Sequence, residues 1–212
     1  MRKVLLTGFE PFDGQAINPS EELAREISGA KIARHEVVGA LLPCVFGAAL
    51  KELKHQIKLH DPAFVICLGQ AGGRAEITPE RVAINVDDAR IADNAGQQPV
   101  DKPVVKDGPA AYFSTLPIKA IVQELRKRDI PAAVSQTAGT FVCNHVFYGL
   151  MHELALHRPE VRGGFIHVPF VPEQTEDKPS LPFEKMTEGV RLAIATTAEY
   201  RRDIRITAGA TS

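Results

Sequence analysis

Cys143 is the residue with the clearest potential for chemistry. It follows a turn of small residues, 137–140, that separates a strand-like stretch from a helical pattern. A thiol at a helix N-terminus lies against the positive end of the helix dipole and against backbone N–H groups that lack helical partners. Both favour the thiolate, and the same N–H groups can stabilise an oxyanion. We therefore predict a nucleophile at Cys143, whereas Cys44 and Cys67 have the local sequence of structural cysteines.

A cysteine nucleophile needs a base, because an unperturbed thiol with a pKa near ~8.5 is only a few per cent thiolate at neutral pH. Of the seven histidines, His167 is the best candidate, since it lies near the end of the apolar run 164–168. The alternative is a hydrogen-bonded histidine of the core. His145 is closer to Cys143 in sequence, but two helical residues differ in direction by about 200°.

The third group of such a site is a carboxylate or amide that fixes the imidazole tautomer. Glu80, which follows Thr78-Pro79, is the best placed. Asp87, Asp88 and Glu10 compete with it on local grounds.

Two patterns argue against other chemistries. The glycine-rich segment 69–74 matches neither G-x-G-x-x-G nor a P-loop, so we expect close approach of a ligand to the backbone there, and not a phosphate site. Cys143 and His145 lack further ligands at zinc-binding spacing. We therefore expect neither a metal nor a cofactor.

The elements that position these residues alternate between strands and helices. Apolar runs predict strands at residues 3–7, 36–42, 63–68, 132–136 and 164–168. Helical periodicity predicts helices that begin at Asn18-Pro19 and that cover about 46–57, 118–125, 146–154 and 182–199. This alternation indicates an α/β fold, a three-layer αβα sandwich with an open, twisted, mostly parallel sheet. Ligands of such sheets bind at the carboxyl ends of the strands, where the residues above converge.

Residues 80–93 interrupt the alternation. The segment 81–86 is strand-like, Asp87-Asp88 resembles a turn, and a second short strand is predicted around Arg90-Ile91. We predict a short antiparallel excursion here. The cysteine strand, 132–136, is expected to lie beside the strand that carries His167.

Composition limits the other possibilities. With 212 residues, 44% of them hydrophobic, the chain is long enough for one core, so we expect a single domain, 1–212, with a flexible tail from about residue 200. A net charge of −1 does not indicate binding to nucleic acid or to an anionic membrane. Three scattered cysteines favour a reducing, cytoplasmic compartment, and we see no signal peptide.

Three motifs, in order along nearly the whole chain, carry a family resemblance. They are Gly8-Phe9-Glu10-Pro11-Phe12 with Asn18-Pro19-Ser20, the segment 69–74 leading to Thr78-Pro79-Glu80-Arg81-Val82-Ala83-Ile84-Asn85, and residues 135–145. They resemble pyroglutamyl peptidase I, the pyrrolidone carboxyl peptidase family.

The resemblance implies a cysteine-type omega peptidase that removes an N-terminal pyroglutamyl residue through a thioester. It implies Cys143 as nucleophile, His167 as base and Glu80 as the group that orients His167. The family's substrate-binding positions correspond to Phe9, Phe12, Asn18, Gln70 and Arg90. It also implies a homo-oligomer, a tetramer or a dimer. Asn18 has a plain alternative as a helix cap, and Arg90 as a solvated surface charge.

The substrate that the resemblance implies agrees with the residue types. A pyroglutamyl group is a neutral lactam, so its pocket needs apolar walls and a few hydrogen-bond partners. Phe9 and Phe12 supply walls, and backbone groups at 69–71 can pair with the lactam. The alternatives are a nucleoside phosphorylase-like enzyme or another thiol hydrolase on a similar scaffold, and a binding module without catalysis.

Overall fold

Four long parallel strands form the centre of the fold. The computed structural model describes residues 1–209. The strands β1 (Arg2–Phe9), β3 (His35–Leu42), β4 (Phe64–Gln70) and β8 (Arg162–Val168) lie in the order β3-β1-β4-β8. Two-residue strands, β2 (Lys31–Ile32) and β5 (Thr78–Pro79), add to the two edges in antiparallel sense.

Helices cover both faces of this sheet, which is why the long strands are apolar almost throughout. One layer contains α1 (Pro19–Ile27), α3 (Ile118–Arg126) and α5 (Phe183–Glu199), and the other contains α2 (Ala48–His60) and α4 (Val142–His157). Alternate residues of β1 enter the two layers: Leu6 packs in the first and Leu5 in the second. The predicted three-layer, mostly parallel α/β fold is confirmed. No helix among residues 1–209 is long and apolar enough to cross a bilayer.

The loop between β1 and α1 shows how tightly the carboxyl edge is built. Asn18 caps α1, its Oδ1 accepting hydrogen bonds from the Ser20 N–H at 3.1 Å and the Ser20 hydroxyl at 2.8 Å. The Ser20 hydroxyl oxygen in turn accepts from the Phe9 N–H at 3.0 Å. The helix therefore starts directly against the end of β1, and Gly8 is required there because a Cβ would lie 1.9 Å from the Ser20 carbonyl oxygen.

The antiparallel excursion is present, but its second strand is not the predicted one. β6 (Val82–Ile84) pairs with β7 (Ala111–Phe113). The predicted strand around Arg90-Ile91 is wrong, since these residues form bends. Just before them, the Ala89 N–H already donates to the Pro99 carbonyl at 2.8 Å, so this segment is paired with its own following loop.

The predicted strand at 132–136 is also wrong as a regular strand. It forms two isolated parallel bridges, Ile77 with Ala132 and Glu80 with Ser135. Between them a parallel ladder needs an N–H from residue 79, and Pro79 has none. A further correction follows, because β5 lies between β8 and this segment, so that the His167 strand and the cysteine segment are not direct neighbours.

The segment after α5 lies along α3. The Asp203 carboxylate accepts hydrogen bonds from the Lys119 and Ala120 N–H groups at 3.0–3.1 Å, and the Lys119 ammonium donates to the Ile206 carbonyl at 2.7 Å. The flexible tail from about residue 200 and the single domain over 1–212 stay predictions. Residues 210–212 lie outside the described residues.

Gly8→Ala should lower the free energy of unfolding by more than about 3 kcal/mol, because the added methyl meets backbone that cannot move aside. Gly163→Ala is the matched control: its Cβ meets the tip of Leu154 at 2.6 Å, a flexible side chain, so we expect a loss of about 1 kcal/mol. Denaturant unfolding of both variants measures the difference. Equal stabilities would contradict this account of the β1–α1 junction.

Candidate active site

The carboxyl edge of the sheet brings Cys143 to the centre of the site. α4 begins at Val142, so that Cys143 is the second helical residue. The Cys143 sulfur packs directly on β4: a Cβ built on Gly69 would lie 2.9 Å from Sγ and 2.7 Å from Cζ of Phe165. At Gly69 the groups that approach the backbone are these protein side chains, and the close approach of a ligand to the segment 69–74 stays a prediction.

His167 lies on the neighbouring strand at the same level. It is the register partner of Gly69 in the β4–β8 pairing. Strand alternation puts His167 on the same face as Phe165, and the two rings are 4.9 Å apart between centroids. Because Phe165 and the Cys143 sulfur both pack on Gly69, the thiol and the imidazole share one face of adjacent strands.

Glu80 completes a hydrogen-bonded pair with His167. Its Oε1 lies 2.7 Å from Nδ1 of His167, and the two residues are 0% and 4% exposed. The backbone fixes the carboxylate from both sides, since the Glu80 N–H donates to the Phe165 carbonyl at 2.9 Å and Ser135 forms the bridge described above. With Nδ1 bound to Glu80, Nε2 is the ring nitrogen left for proton transfer.

Arg74 is part of the same network and was missed at the level of sequence. Its Nη1 donates to Oε1 of Glu80 and to the Thr78 hydroxyl, both at 2.7 Å, and its Nη2 donates to the Thr137 carbonyl at 3.1 Å. Gly73 turns the chain toward Glu80 with a φ of +90°. A charged residue directly after a glycine turn, six positions before Glu80, was the available signal.

These partners set the charge of Glu80. Burial alone raises the pKa of its carboxyl, but the hydrogen bond and charge of His167 and the hydrogen bond from Arg74 outweigh burial, so that the pKa lies below its ordinary value. Glu80 is therefore a carboxylate at neutral pH, and its Oε1 accepts a hydrogen bond from Nδ1 of His167.

The thiols differ from the expectation of a preformed thiolate. Burial, then the nearby Cys44 and Glu80, raise the pKa of Cys143, and Arg74 acts in the opposite direction. The resting site thus favours the protonated thiol, and burial is the largest cause. Burial also raises the pKa of Cys44 and of Cys67 to about 12. Cys143 is the partly exposed thiol of the three, while Cys44 and Cys67 are buried.

The competing carboxylates have other partners. Asp87 lies 2.9 Å from Nδ1 of His145, whose Nε2 accepts the Gly47 N–H at 3.1 Å. Glu10 accepts the Cys44 N–H at 3.0 Å. Asp88 is exposed. Of the four candidate acids, Glu80 is the one that contacts His167.

The five predicted substrate-binding residues fall into two groups. Phe12, Gln70 and Arg90 line a cavity of about 380 Å³ at the carboxyl edge. Phe9 is 2% exposed and packs behind the site, 6.3 Å from the Phe165 ring. Asn18 is 1% exposed. Its Oδ1 accepts hydrogen bonds from Ser20, and its Nδ2 donates to the Glu10 carbonyl, so Asn18 acts as a helix cap in this structure.

Sequence reasoning also missed two residues around Cys143. The Phe141 ring lies 5.9 Å from that of Phe12 and occupies the N-cap position of α4, where its side chain cannot accept a hydrogen bond. Asn144 holds the excursion against α4: its Oδ1 accepts the Ile84 N–H, and its Nδ2 donates to the carbonyls of Ile84 and Val86, all at 2.9–3.0 Å. Both lie within two residues of Cys143, and Asn144 was noted only as support for a nucleophile there.

Comparison with known proteins matches residues 2–200 to a family model described as pyroglutamyl peptidase. The pyrrolidone-carboxylate peptidase of Cupriavidus taiwanensis is 58% identical over 97% of each chain, and that of Bacillus cereus is 54% identical over 100% of each. The crystal structure of pyroglutamyl peptidase I from Bacillus amyloliquefaciens superposes with a TM-score of 0.94 at 52% identity, covering 96% of this chain and 100% of that one. The pyrrolidone carboxyl peptidase of Thermococcus litoralis gives 0.95 at 39% identity, over 98% and 100%. The chain belongs to the pyroglutamyl peptidase family.

Proposed function

We propose that this protein is a cysteine peptidase that hydrolyses the N-terminal pyroglutamyl residue from peptides and proteins. The observation that carries the mechanism is the 2.7 Å hydrogen bond between Glu80 and Nδ1 of His167, on the strand next to the glycine that supports the Cys143 sulfur. The relatives named pyrrolidone-carboxylate peptidase support the substrate.

The reaction starts from a neutral thiol and a neutral imidazole. As the sulfur attacks the pyroglutamyl carbonyl, Nε2 of His167 takes the thiol proton, and Glu80 stabilises the imidazolium that forms. His167 then gives this proton to the departing amine, which leaves a thioester between Cys143 and the pyroglutamyl group. A water molecule that loses its proton to the same nitrogen hydrolyses the thioester, releases pyroglutamate and restores the thiol.

The start of α4 supplies the oxyanion site. The first N–H groups of a helix have no helical acceptors, and Phe141 at the N-cap offers none from its side chain. These donors are therefore free to hold the oxyanion of the tetrahedral intermediate. A contribution from Arg90, which lines the neighbouring cavity, is part of the proposal.

The cavity beside this edge suits a neutral lactam. Phe12 offers an apolar wall, and Gln70 ends β4 next to Gly69, where backbone and side-chain amides can pair with the lactam. Proline has the ring without the carbonyl, so a prolyl group would leave such partners unsatisfied. Phe9 and Asn18 shape the site from behind, through Phe165 and through the β1–α1 junction.

We also propose a cytoplasmic location and a homo-oligomer, a tetramer or a dimer. The location is supported by three free cysteines, one of them the proposed nucleophile, because free thiols are typical of a reducing compartment. The oligomer is supported by the family resemblance. No nucleic acid or membrane partner is expected from a net charge of −1.

Cys143→Ser and His167→Ala should abolish release of coumarin from pyroglutamyl-aminomethylcoumarin, since each removes a group that forms or breaks a bond. Glu80→Gln should reduce kcat about 10- to 1000-fold, because an amide still contacts Nδ1 but carries no charge to stabilise the imidazolium. Steady-state kinetics on variants with unchanged circular dichroism measure these effects. Prolyl-aminomethylcoumarin is the substrate control. Full activity of Cys143→Ser would contradict the mechanism.

Alkylation tests the protonation state of the resting thiol. In the native protein, iodoacetamide should modify Cys143 and spare Cys44 and Cys67, which are buried. Because the pKa of Cys143 is raised, the alkylation rate should keep increasing above pH 8 as the thiolate fraction grows. Peptide mass spectrometry over pH 5–10 gives the rates. A plateau that begins near pH 6 would show a preformed thiolate–imidazolium pair and contradict the general-base step.

Phe12→Ala should raise KM about 10- to 100-fold with a small change in kcat, because a wall that contacts the lactam contributes about 1.5–3 kcal/mol to binding. Phe113→Ala is the matched control, since this phenylalanine is 70% exposed on β7. An unchanged KM in Phe12→Ala would place the lactam elsewhere.

A further inference from the structure

We propose that Arg74 is a positioning residue of this site, and that its guanidinium joins the carboxylate that orients His167 to the turn that presents Cys143. The inference rests on the roles proposed above for Glu80, His167 and Cys143, and it adds a fourth residue to them. Arg74 is not a catalytic residue in this account, because its bonds are to Glu80, Thr78 and Thr137.

The buried charge of Glu80 needs a compensating cation. Glu80 is 0% exposed, and a buried carboxylate without a cation is strongly disfavoured. The general-base step requires a neutral His167, so the imidazole cannot supply that cation in the resting state. Arg74 supplies it through a charge-assisted bond of 2.7 Å to Oε1, the oxygen that also accepts from His167. Arg74 therefore permits an ionised Glu80 beside an uncharged base.

The same bond limits how strongly His167 holds a proton. Glu80 shared with Arg74 attracts an imidazolium less than Glu80 alone would, since part of its charge is already neutralised. The carboxylate still orients the imidazole through Nδ1. The titratable and charged groups that face this pair are Arg74, from the turn after β4, and the Cys143 thiol, from α4.

The second nitrogen of the Arg74 guanidinium contacts the turn before α4. Nη2 donates to the carbonyl of Thr137, in the turn that leads into α4. The same carbonyl accepts the Ser135 hydroxyl at 3.0 Å, and Thr137 Oγ1 accepts the Gly139 N–H at 3.0 Å. Arg74 thus connects the turn to Glu80 across the site. A lysine has one ammonium and cannot reach both sides with the fixed fork of a guanidinium.

These two roles of Arg74 predict different results for two substitutions. Arg74→Gln removes the charge, so Glu80 and His167 titrate as a pair with more affinity for protons. The added proton resides on the carboxyl or on the imidazole. In either case, as the pH is lowered, the pair stops acting as a base at a higher pH than in the unsubstituted protein. The acid limb of kcat/KM should therefore move up by about one pH unit. Arg74→Lys keeps the charge and loses the fork, so the limb should return to its original pH while kcat stays lower by about 3- to 10-fold.

The experiment measures kcat and KM for pyroglutamyl-aminomethylcoumarin from pH 5 to 9 in the full-length protein, Arg74→Gln, Arg74→Lys and Arg81→Gln. Arg81 is the matched control, because it is an arginine next to Glu80 in sequence whose side chain bonds Gln136 at 2.7 Å and the Ala208 carbonyl at 3.1 Å. Arg81→Gln should leave the acid limb in place. Thermal unfolding of each variant accompanies the kinetics.

An acid limb of Arg74→Gln that coincides with that of Arg81→Gln would overturn the proposal, even if activity falls. If Arg74→Gln does not fold, Arg74→Lys tests the proposal. An unchanged kcat in Arg74→Lys would contradict the role of the bond to Thr137. A shifted acid limb of kcat/KM in Arg74→Lys would contradict the role of the positive charge. Glu80→Gln separates this inference from the mechanism beneath it. Full activity in Glu80→Gln would end the catalytic assignment, whereas an impaired Glu80→Gln beside an unshifted Arg74→Gln would remove Arg74 alone.

Discussion

A carboxylate with no exposure to solvent, Glu80, is the constraint on which the rest of the site depends. Such a charge is stable only with compensating partners, which here act on one carboxylate oxygen, Oε1, and three separate segments meet to place the carboxylate and these partners. The turn after β4 brings Arg74, β8 brings His167, and the segment around Ser135 pairs with the Glu80 backbone. The turn into α4 continues from that last segment, so that the position of the nucleophile is tied to the same carboxylate.

Two buried carboxylate–imidazole pairs lie near the start of α4, and their differences explain why one suits catalysis. In the pair of Asp87 and His145, Nε2 of His145 accepts the Gly47 N–H at 3.1 Å, so both ring nitrogens are occupied. In the pair of Glu80 and His167, Nε2 has no hydrogen-bond partner within residues 1–209. The first pair holds the excursion and the start of α2 to α4. The second retains a nitrogen that can accept a proton.

The sequence was informative where chemistry depends on a local pattern. A cysteine after a small-residue turn, a histidine near the end of an apolar strand and five periodic helices can be seen in the residues themselves, and the structure has each of them. It was less informative where a long-range partner decides. The segment 132–136 has strand composition, but its partner includes Pro79, which lacks the N–H that a continuous ladder needs. Arg90 lies in a bend, because the backbone just before it pairs with a loop that no local pattern specifies.

The role of Arg74 likewise depends on long-range partners that local sequence does not specify. Its place after a glycine turn is the one local signal, and its role depends on acceptors that only the fold brings together: Thr78, Glu80 and the distant Thr137. Its consequence is that the buried carboxylate is offset by the guanidinium, beside a thiol whose raised pKa favours the protonated form. Such a site is matched to an uncharged lactam, which brings no ion to compensate a buried charge. In the proposed mechanism, the ion pair between sulfur and imidazole forms only as the carbonyl arrives, and the negative charge then passes to an oxyanion beside the first N–H groups of α4.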